Sequence, residues 1–335
     1  MRRKFAPETS GAPYAGTRCL VTGGLGFIGS NLALSLLDAG ASVTVVDSLE
    51  PRHGGKPENL EGADAEVVIG DIADPGAVAA SLREADYVFN LAGQVSHIDS
   101  MEDPMRDLEI NACSQLAFLE HARRADSGAR IVFASTRQLY GRPRELPVTE
   151  EHPVEPVDVN GVSKAAAERL HLVYHHAHGM PVAALRFSNV FGPRQLLEGE
   201  HQGFLGVFLR RALAGEPIVV FGDGSQRRDC IYVEDAVEAL LLAGAKDAAT
   251  GQVFNIGHHR DHTLLEIAES VAEAAGGGEV VRAPWPAARE RIAIGSYRTD
   301  YTKAARRLGW EPTWNLEEGL AATIAFCRAK LTAAA

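Results

Sequence analysis

The chain has 335 residues, 46% hydrophobic and 23% charged, a globular composition large enough for one big or two closely joined domains. Its net charge of −11 argues against a nucleic-acid partner, which needs a basic face, but leaves room for a phosphorylated small molecule held by a few arginines. No apolar run is long enough to span a membrane, and the four scattered cysteines (Cys19, Cys113, Cys230, Cys327) suit a reducing, cytoplasmic setting better than a disulfide framework or zinc site.

Residues 1–17 carry Gly, Pro and Ser but no apolar stretch, and predict a mobile tail rather than a signal peptide. A short apolar run at 18–23 ends in glycine, as a buried strand would. Residues 27–40 have helical periodicity and stop at Gly40. Further strands are predicted at 42–47, 66–71, 86–93, 129–136 and 181–190. Asp74 before Pro75 reads as an N-cap opening a helix. Strand–helix alternation on this scale predicts an α/β fold, a doubly wound parallel sheet that binds ligands at the carboxyl ends of its strands. After Asn189 the pattern changes. Helices are predicted near 204–215, 233–245 and 262–278, the last opened by a Thr263–Glu266 capping box, with strands at 217–222 and 252–257. The expected organisation is a dinucleotide domain over 18–187 plus about 230–256, and a smaller substrate lobe over 188–229 and 257–330.

The first strand leads into Gly23-Gly24-Leu25-Gly26-Phe27-Ile28-Gly29. Glycines at 23, 26 and 29 permit a tight turn and close approach to a pyrophosphate, and the helix that follows offers free N–H groups and a positive dipole end. Asp47, followed by Ser48, ends the next strand, placed to accept from an adenosine ribose and to repel a 2′-phosphate. NAD is therefore favoured over NADP, although nearby Arg52 speaks for the latter.

The spacing Gly-x-x-Gly-x-x-Gly resembles the extended short-chain dehydrogenase/reductase family, and other segments agree from residue 18 onward. Gly70-Asp71-Ile72 resembles its adenine-contacting segment, and Asn90-Leu91-Ala92-Gly93-Gln94 the segment passing the nicotinamide half. Asn111 resembles its structural asparagine. Ser135 to Gly141 resembles its active-site strand motif, Arg186 to Pro193 its R-x-x-N-x-Y-G-P segment, and Gly222 to Asp229 the segment carrying a diphosphate on the arginine before the aspartate. Leu308-Gly309-Trp310-Glu311-Pro312 resembles a C-terminal landmark. The resemblance implies a tightly held NAD, a nucleotide-sugar substrate, a sugar-nucleotide epimerase or related oxidoreductase (acting most naturally at C4), and a homodimer formed through the helices of 104–124 and of the stretch beginning near Asn160.

One position departs. The family's catalytic Tyr-x-x-x-Lys is here Asn160-Gly161-Val162-Ser163-Lys164. Lysine is kept, but asparagine has no titratable proton and can only position. Three readings stay open: another base acts (Lys164, His97 or Asp99); the chemistry needs less proton transfer here; or the protein is a catalytically silent binder of NAD or a nucleotide sugar. Histidine suits a base near neutral pH. Thr136 matches the family's second active-site hydroxyl. Arg137 and Gln138 stand where 4,6-dehydratases carry an acid and a base, which disfavours that reaction. Arg137 is instead a candidate for a substrate anion such as a uronic carboxylate. Arg228 is the candidate diphosphate ligand, with Asn189 and Arg291 as further substrate contacts. His171, His175 and His178 share helical spacing but have no carboxylate partner, so a partly exposed helix face, not a metal site, is expected.

Overall fold

The computed structural model describes residues 12–50, 55–197 and 203–334. Its strands, in chain order, are β1 (Arg18–Thr22), β2 (Ser42–Asp47), β3 (Glu66–Ile69), β4 (Tyr87–Asn90), β5 (Arg130–Thr136), β6 (Val182–Phe187), β7 (Asn189–Phe191), β8 (Ile218–Phe221), β9 (Arg227–Tyr232), β10 (Val253–Ile256), β11 (Asp261–Thr263) and β12 (Val280–Ala283). Seven of them form one parallel sheet in the order β10-β6-β5-β4-β1-β2-β3. From β1 the chain winds outward to β3 and then returns to build the other half from β4. The topological switch point therefore lies between β1 and β4, where such sheets open a crevice at their carboxyl ends.

The helices are α1 (Phe27–Asp38), α2 (Pro75–Glu84), α3 (His97–Glu102), α4 (Pro104–Leu108), α5 (Ser114–Ala125), α6 (Val159–His178), α7 (Phe204–Leu213), α8 (Val233–Ala245), α9 (Leu264–Ala274), α10 (Ala287–Arg291), α11 (Thr302–Leu308) and α12 (Leu316–Ala334). Period-two alternation puts neighbouring strand residues on opposite faces. Val21 and Val45 join Leu32 and Leu36 of α1 and Leu240 of α8. Leu20 and Val46 join Val78 and Leu82 of α2 and Phe118 and Leu119 of α5. Both faces are thus covered, as a parallel sheet requires.

Both caps expected from the sequence are formed. Asp74 accepts from the Gly76 N–H at 2.8 Å, and Thr263 and Glu266 make a reciprocal capping box. The stretch expected as one helix from Pro104 carries a π-turn, Glu109–Cys113, between α4 and α5. The expected strand through 181–190 is two strands: at Ser188 the chain leaves the main sheet, and β7 pairs with β9 instead. β9 itself was not expected, because its apolar half is headed by Arg227, Arg228 and Asp229, which hide the strand pattern.

The expected tail needs correction. Residues 1–11 lie outside the described residues, as does Arg52. Residues 12–17 are anchored: Tyr14 is fully buried, and its hydroxyl donates to the Leu241 carbonyl at 2.6 Å.

Candidate active site

A cavity of about 350 Å³ opens at the switch point, a usual size for a ligand site. Gly23, Gly26, Phe27, Ile28, Gly29, Asp47, Ser48, Asp71, Ile72, Leu91, Ala92 and Gly93 all line it, so the structure brings together every residue expected to hold the cofactor. Gly23 turns with φ +66°, and a Cβ on Gly29 would overlap the Gly23 carbonyl oxygen. Only bare backbone permits this packing, which leaves the α1 N-terminus open to an anion. Asp47 is held by the Leu25 and Leu49 N–H groups at 3.1 and 2.9 Å, while burial raises its carboxyl above the ordinary range. Glycine cradle, helix end and acidic strand end fit a dinucleotide.

Beyond the cradle, a second group of residues closes the cavity: Thr136, Asn160, Lys164 and His97. Asn160 and Lys164 lie one turn apart on α6 and are both buried. The Asn160 amide donates to the Gln94 carbonyl at 3.0 Å and to Asp107 Oδ2 at 3.1 Å. Asn111 donates to the same two acceptors, each at 3.1 Å. With its nitrogen so committed, Asn160 offers a ligand Oδ1, an acceptor that cannot take up a proton. A Cβ on Gly93 would strike Lys164 Nζ, so a glycine there is what lets the ammonium approach the chain. Burial pulls Lys164 down to about 8, against the attraction of Asp107.

His97 opens α3, with Ser96 as N-cap. Its Nδ1 is 3.2 Å from Asp158 Oδ2. Burial alone would raise the Asp158 carboxyl; His97 and hydrogen bonds from the Gly161 N–H and Gln138 hold it below its ordinary value. Asp158 is the N-cap of α6, so one carboxylate both starts the helix carrying Asn160 and Lys164 and backs a histidine on the cavity wall. Sequence reasoning missed Asp158, Asp107 and Gln94. The only signal for Asp158 was its place before a helix start. Asp99, another candidate base, is buried in α3 and lies off the cavity wall. Gln138 is buried, its amide donating to Asp158 at 2.7 Å.

On the substrate side, Thr136, Arg137 and Asn189 line the cavity. Thr136 Oγ1 accepts from the Gln138 N–H at 3.2 Å, which leaves its own O–H to donate. Two expected contacts stand elsewhere. Arg228 is buried off the cavity wall, one terminal nitrogen donating to the Arg227 and Gly295 carbonyls and the other to Gln226. Arg291 ends the exposed helix α10. In the histidine row, His178 is exposed and His175 half-buried, the partly exposed helix face expected, but His171 departs from it. His171 is fully buried, its ring stacked 4.1 Å from Phe133, and it accepts from Asn90 while donating to the Ala167 carbonyl. Burial takes it down to about 4.

Comparison with known proteins agrees with this geometry. The profile of the NAD dependent epimerase/dehydratase family matches residues 19–257. A UDP-glucose 4-epimerase of Mycolicibacterium smegmatis is 34% identical over 318 residues, covering 93% of this chain and 99% of that one. A dTDP-glucose 4,6-dehydratase of Actinoplanes is also 34% identical, over 93% and 98% of the two chains. The structure of a Thermus thermophilus UDP-glucose 4-epimerase in complex with NAD superposes with a TM-score of 0.83 at 35% identity, covering 93% of this chain and 99% of that one.

Proposed function

The chain belongs to the NAD dependent epimerase/dehydratase family, and from that membership we propose that it is a nucleotide-sugar 4-epimerase in which His97 replaces tyrosine as the proton carrier. NAD is its cofactor. When bound, NAD supplies a nicotinamide that takes a hydride from a sugar carbon and gives it back. The chain's own residues do the rest. Gly23 to Gly29 and Asp47 hold the diphosphate and adenosine ribose, and the Lys164 ammonium holds the nicotinamide ribose. Thr136 donates to the sugar oxygen and Asn160 Oδ1 accepts from it. His97 removes the hydroxyl proton as the hydride departs and returns it afterwards, with Asp158 balancing the imidazolium charge. The observation that carries this reading is His97 on the cavity wall with Asp158 3.2 Å behind it.

Arg228, the expected diphosphate ligand, lies off the cavity wall with its terminal nitrogens bonded to Arg227, Gly295 and Gln226, so the diphosphate is not assigned to it. Relatives named as dehydratases do not speak against elimination of water. The reading against it rests on Arg137 and Gln138, which hydrogen-bond to Asn189 and Asp158 and are no acid–base pair. Exposed apolar side chains on α4 to α6 (Met105, Leu108, Leu116, Val162, Val173) support a homodimer through those helices. The four free cysteines support a cytoplasmic setting. Among the described residues, no helix is long and apolar enough to cross a membrane.

The test is incubation of the NAD-loaded protein with UDP-, GDP-, CDP- and dTDP-sugars in deuterated water, with products read by NMR. The expected product is a 4-epimer carrying no solvent deuterium at C4. Retained sugar-nucleotide binding without turnover would favour the silent reading that Asn160 also permits.

A further inference from the structure

Arg137 carries a charge that the reaction as read above leaves uncompensated. It follows Thr136 directly and lines the same cavity. One terminal nitrogen donates to Asn189 Oδ1 at 2.9 Å, and the guanidinium lies 5.1 Å from the Tyr297 ring centroid. The other terminal nitrogen, Nη1, is buried with no hydrogen-bond partner. Asparagine and tyrosine are neutral partners. Asp229 and Asp158 attract the guanidinium, but among the described residues neither forms an ion pair with it. Asp158 is engaged by His97, Gly161 and Gln138, and Asp229 Oδ2 by the His258 and Thr299 N–H groups. Arg228, a second buried guanidinium, is close enough to be felt as repulsion.

The region thus gathers two guanidiniums, a half-buried Arg137 and a buried Arg228, with Asp229 as the carboxylate that attracts both. A guanidinium does not escape burial by losing its proton, and a buried charge without a counter-ion is costly. An anion entering the cavity would give the Arg137 guanidinium the ion-pair partner that the chain itself does not supply. Asn189 keeps the guanidinium at the wall: its own amide is held by the Asp229 carbonyl at 2.8 Å, and its oxygen holds Arg137. The charge sits next to Thr136, on a wall shared with Asn160 and Lys164, at the reacting end of the cavity. A flat guanidinium with a free donor matches a flat carboxylate.

We infer that Arg137 recognises a carboxylate on the reacting sugar, so that the substrate is a nucleotide uronate and not a neutral nucleotide hexose. The inference rests on the nucleotide-sugar reading for its ligand class but not on turnover.

The experiment is calorimetric binding to the full-length, NAD-loaded protein of matched pairs: UDP-glucuronate against UDP-glucose, UDP-galacturonate against UDP-galactose, and GDP-mannuronate against GDP-mannose, with UDP and GDP alone as references. At least one uronate should bind on the order of tenfold or more tighter than its hexose, since a site built around a charged donor rejects the ligand lacking its partner. Arg137→Gln should abolish that preference and leave binding of the bare nucleotide unchanged. Arg137→Lys should keep part of it, and serves as the test if Arg137→Gln fails to fold by thermal melt. Absence of a uronate preference in every pair, including absence of binding, overturns the inference. So does an Arg137→Gln variant that weakens the bare nucleotide as much as the uronate, because the guanidinium would then belong to the diphosphate. A uronate preference without turnover would sink the epimerase reading and leave this one standing; turnover of neutral hexoses with no preference would do the reverse.

Discussion

Asp158 joins two roles that a single substitution can separate. It caps α6 through Oδ1 and faces His97 through Oδ2. Asparagine caps helices about as well as aspartate, so Asp158→Asn should keep the cap, while loss of the buried acceptor for the Gln138 amide should cost about 1–3 kcal/mol in stability. Without the negative charge behind His97, kcat should fall on the order of tenfold or more, with KM little changed. His97→Gln should remove the proton carrier and cost roughly a hundredfold in kcat. A kcat unchanged in His97→Gln would sink the proton route. Lys164 adds a pH signature. Its ammonium, lowered by burial to about 8, is the form that holds the ribose, so activity should decline as pH rises through about 8. A profile flat from pH 7 to 9.5 would remove Lys164 from that role. Asn160→Tyr should lower activity, because Asn160 is 2% exposed and hydrogen-bonded to Gln94 and Asp107. A gain in activity would show that the tyrosine route was merely missing. At this scale the sequence was legible wherever chemistry is local. Thr136, Asn160 and Lys164 could be placed because motif spacing fixes them, and His97 because it follows a strand end. Asp107, Gln94 and the facing of Asp158 were not legible. Hydrogen bonds between residues 53 and 66 positions apart leave no pattern along the chain.

At the scale of elements, the glycine cradle makes the sharpest demand. The α1 N-terminus can face a phosphate only if Gly29 lies against the Gly23 carbonyl. Gly29→Ala must push the helix away from the strand, for the clash is with backbone and no rotamer change relieves it. Purified Gly29→Ala should contain at least tenfold less NAD per chain, measured by absorbance after denaturation, and should melt at a lower temperature. Undiminished NAD content would mean that the cradle is looser than its geometry. Elements were readable where propensity and packing agree: the capped helices opened by Asp74 and Thr263, and the apolar strands of the central sheet. They were hidden where function or tertiary contact overrides pattern. β9 is headed by charges, two of which (Arg228 and Asp229) the fold buries, and the π-turn at Glu109–Cys113 interrupts a helix whose periodicity reads as continuous. That turn contains Asn111, whose side chain ties Gln94 and Asp107 together beneath the cavity.

At the scale of the whole molecule, the C-terminal region is fastened to the dinucleotide core at a point remote in sequence from the site. Trp310 is fully buried, with Nε1 donating to the Asp235 carbonyl at 2.9 Å and its ring edge-on to Tyr301. The Asp235 carboxylate accepts from the Thr313 N–H and hydroxyl and from the Trp314 N–H, so the start of α8 is bound to the segment leading into α12. α8 in turn packs on β5 and β6, the strands that present Thr136 and adjoin Asn189. Trp310→Ala should therefore cost about 3–5 kcal/mol of unfolding free energy through the cavity it leaves, measurable by denaturant titration. Trp310→Phe, which keeps most of the ring and loses the hydrogen bond, should cost roughly 1 kcal/mol for the bond alone. Trp310 does not line the cavity. At low temperature, where the folded population stays high, both variants should keep the NAD content of the parent. If Trp310→Ala empties the cofactor site while the protein remains folded, then this anchor shapes the cavity as well as the fold, and the C-terminal segment acts on the site through α8 and not as a passive cover.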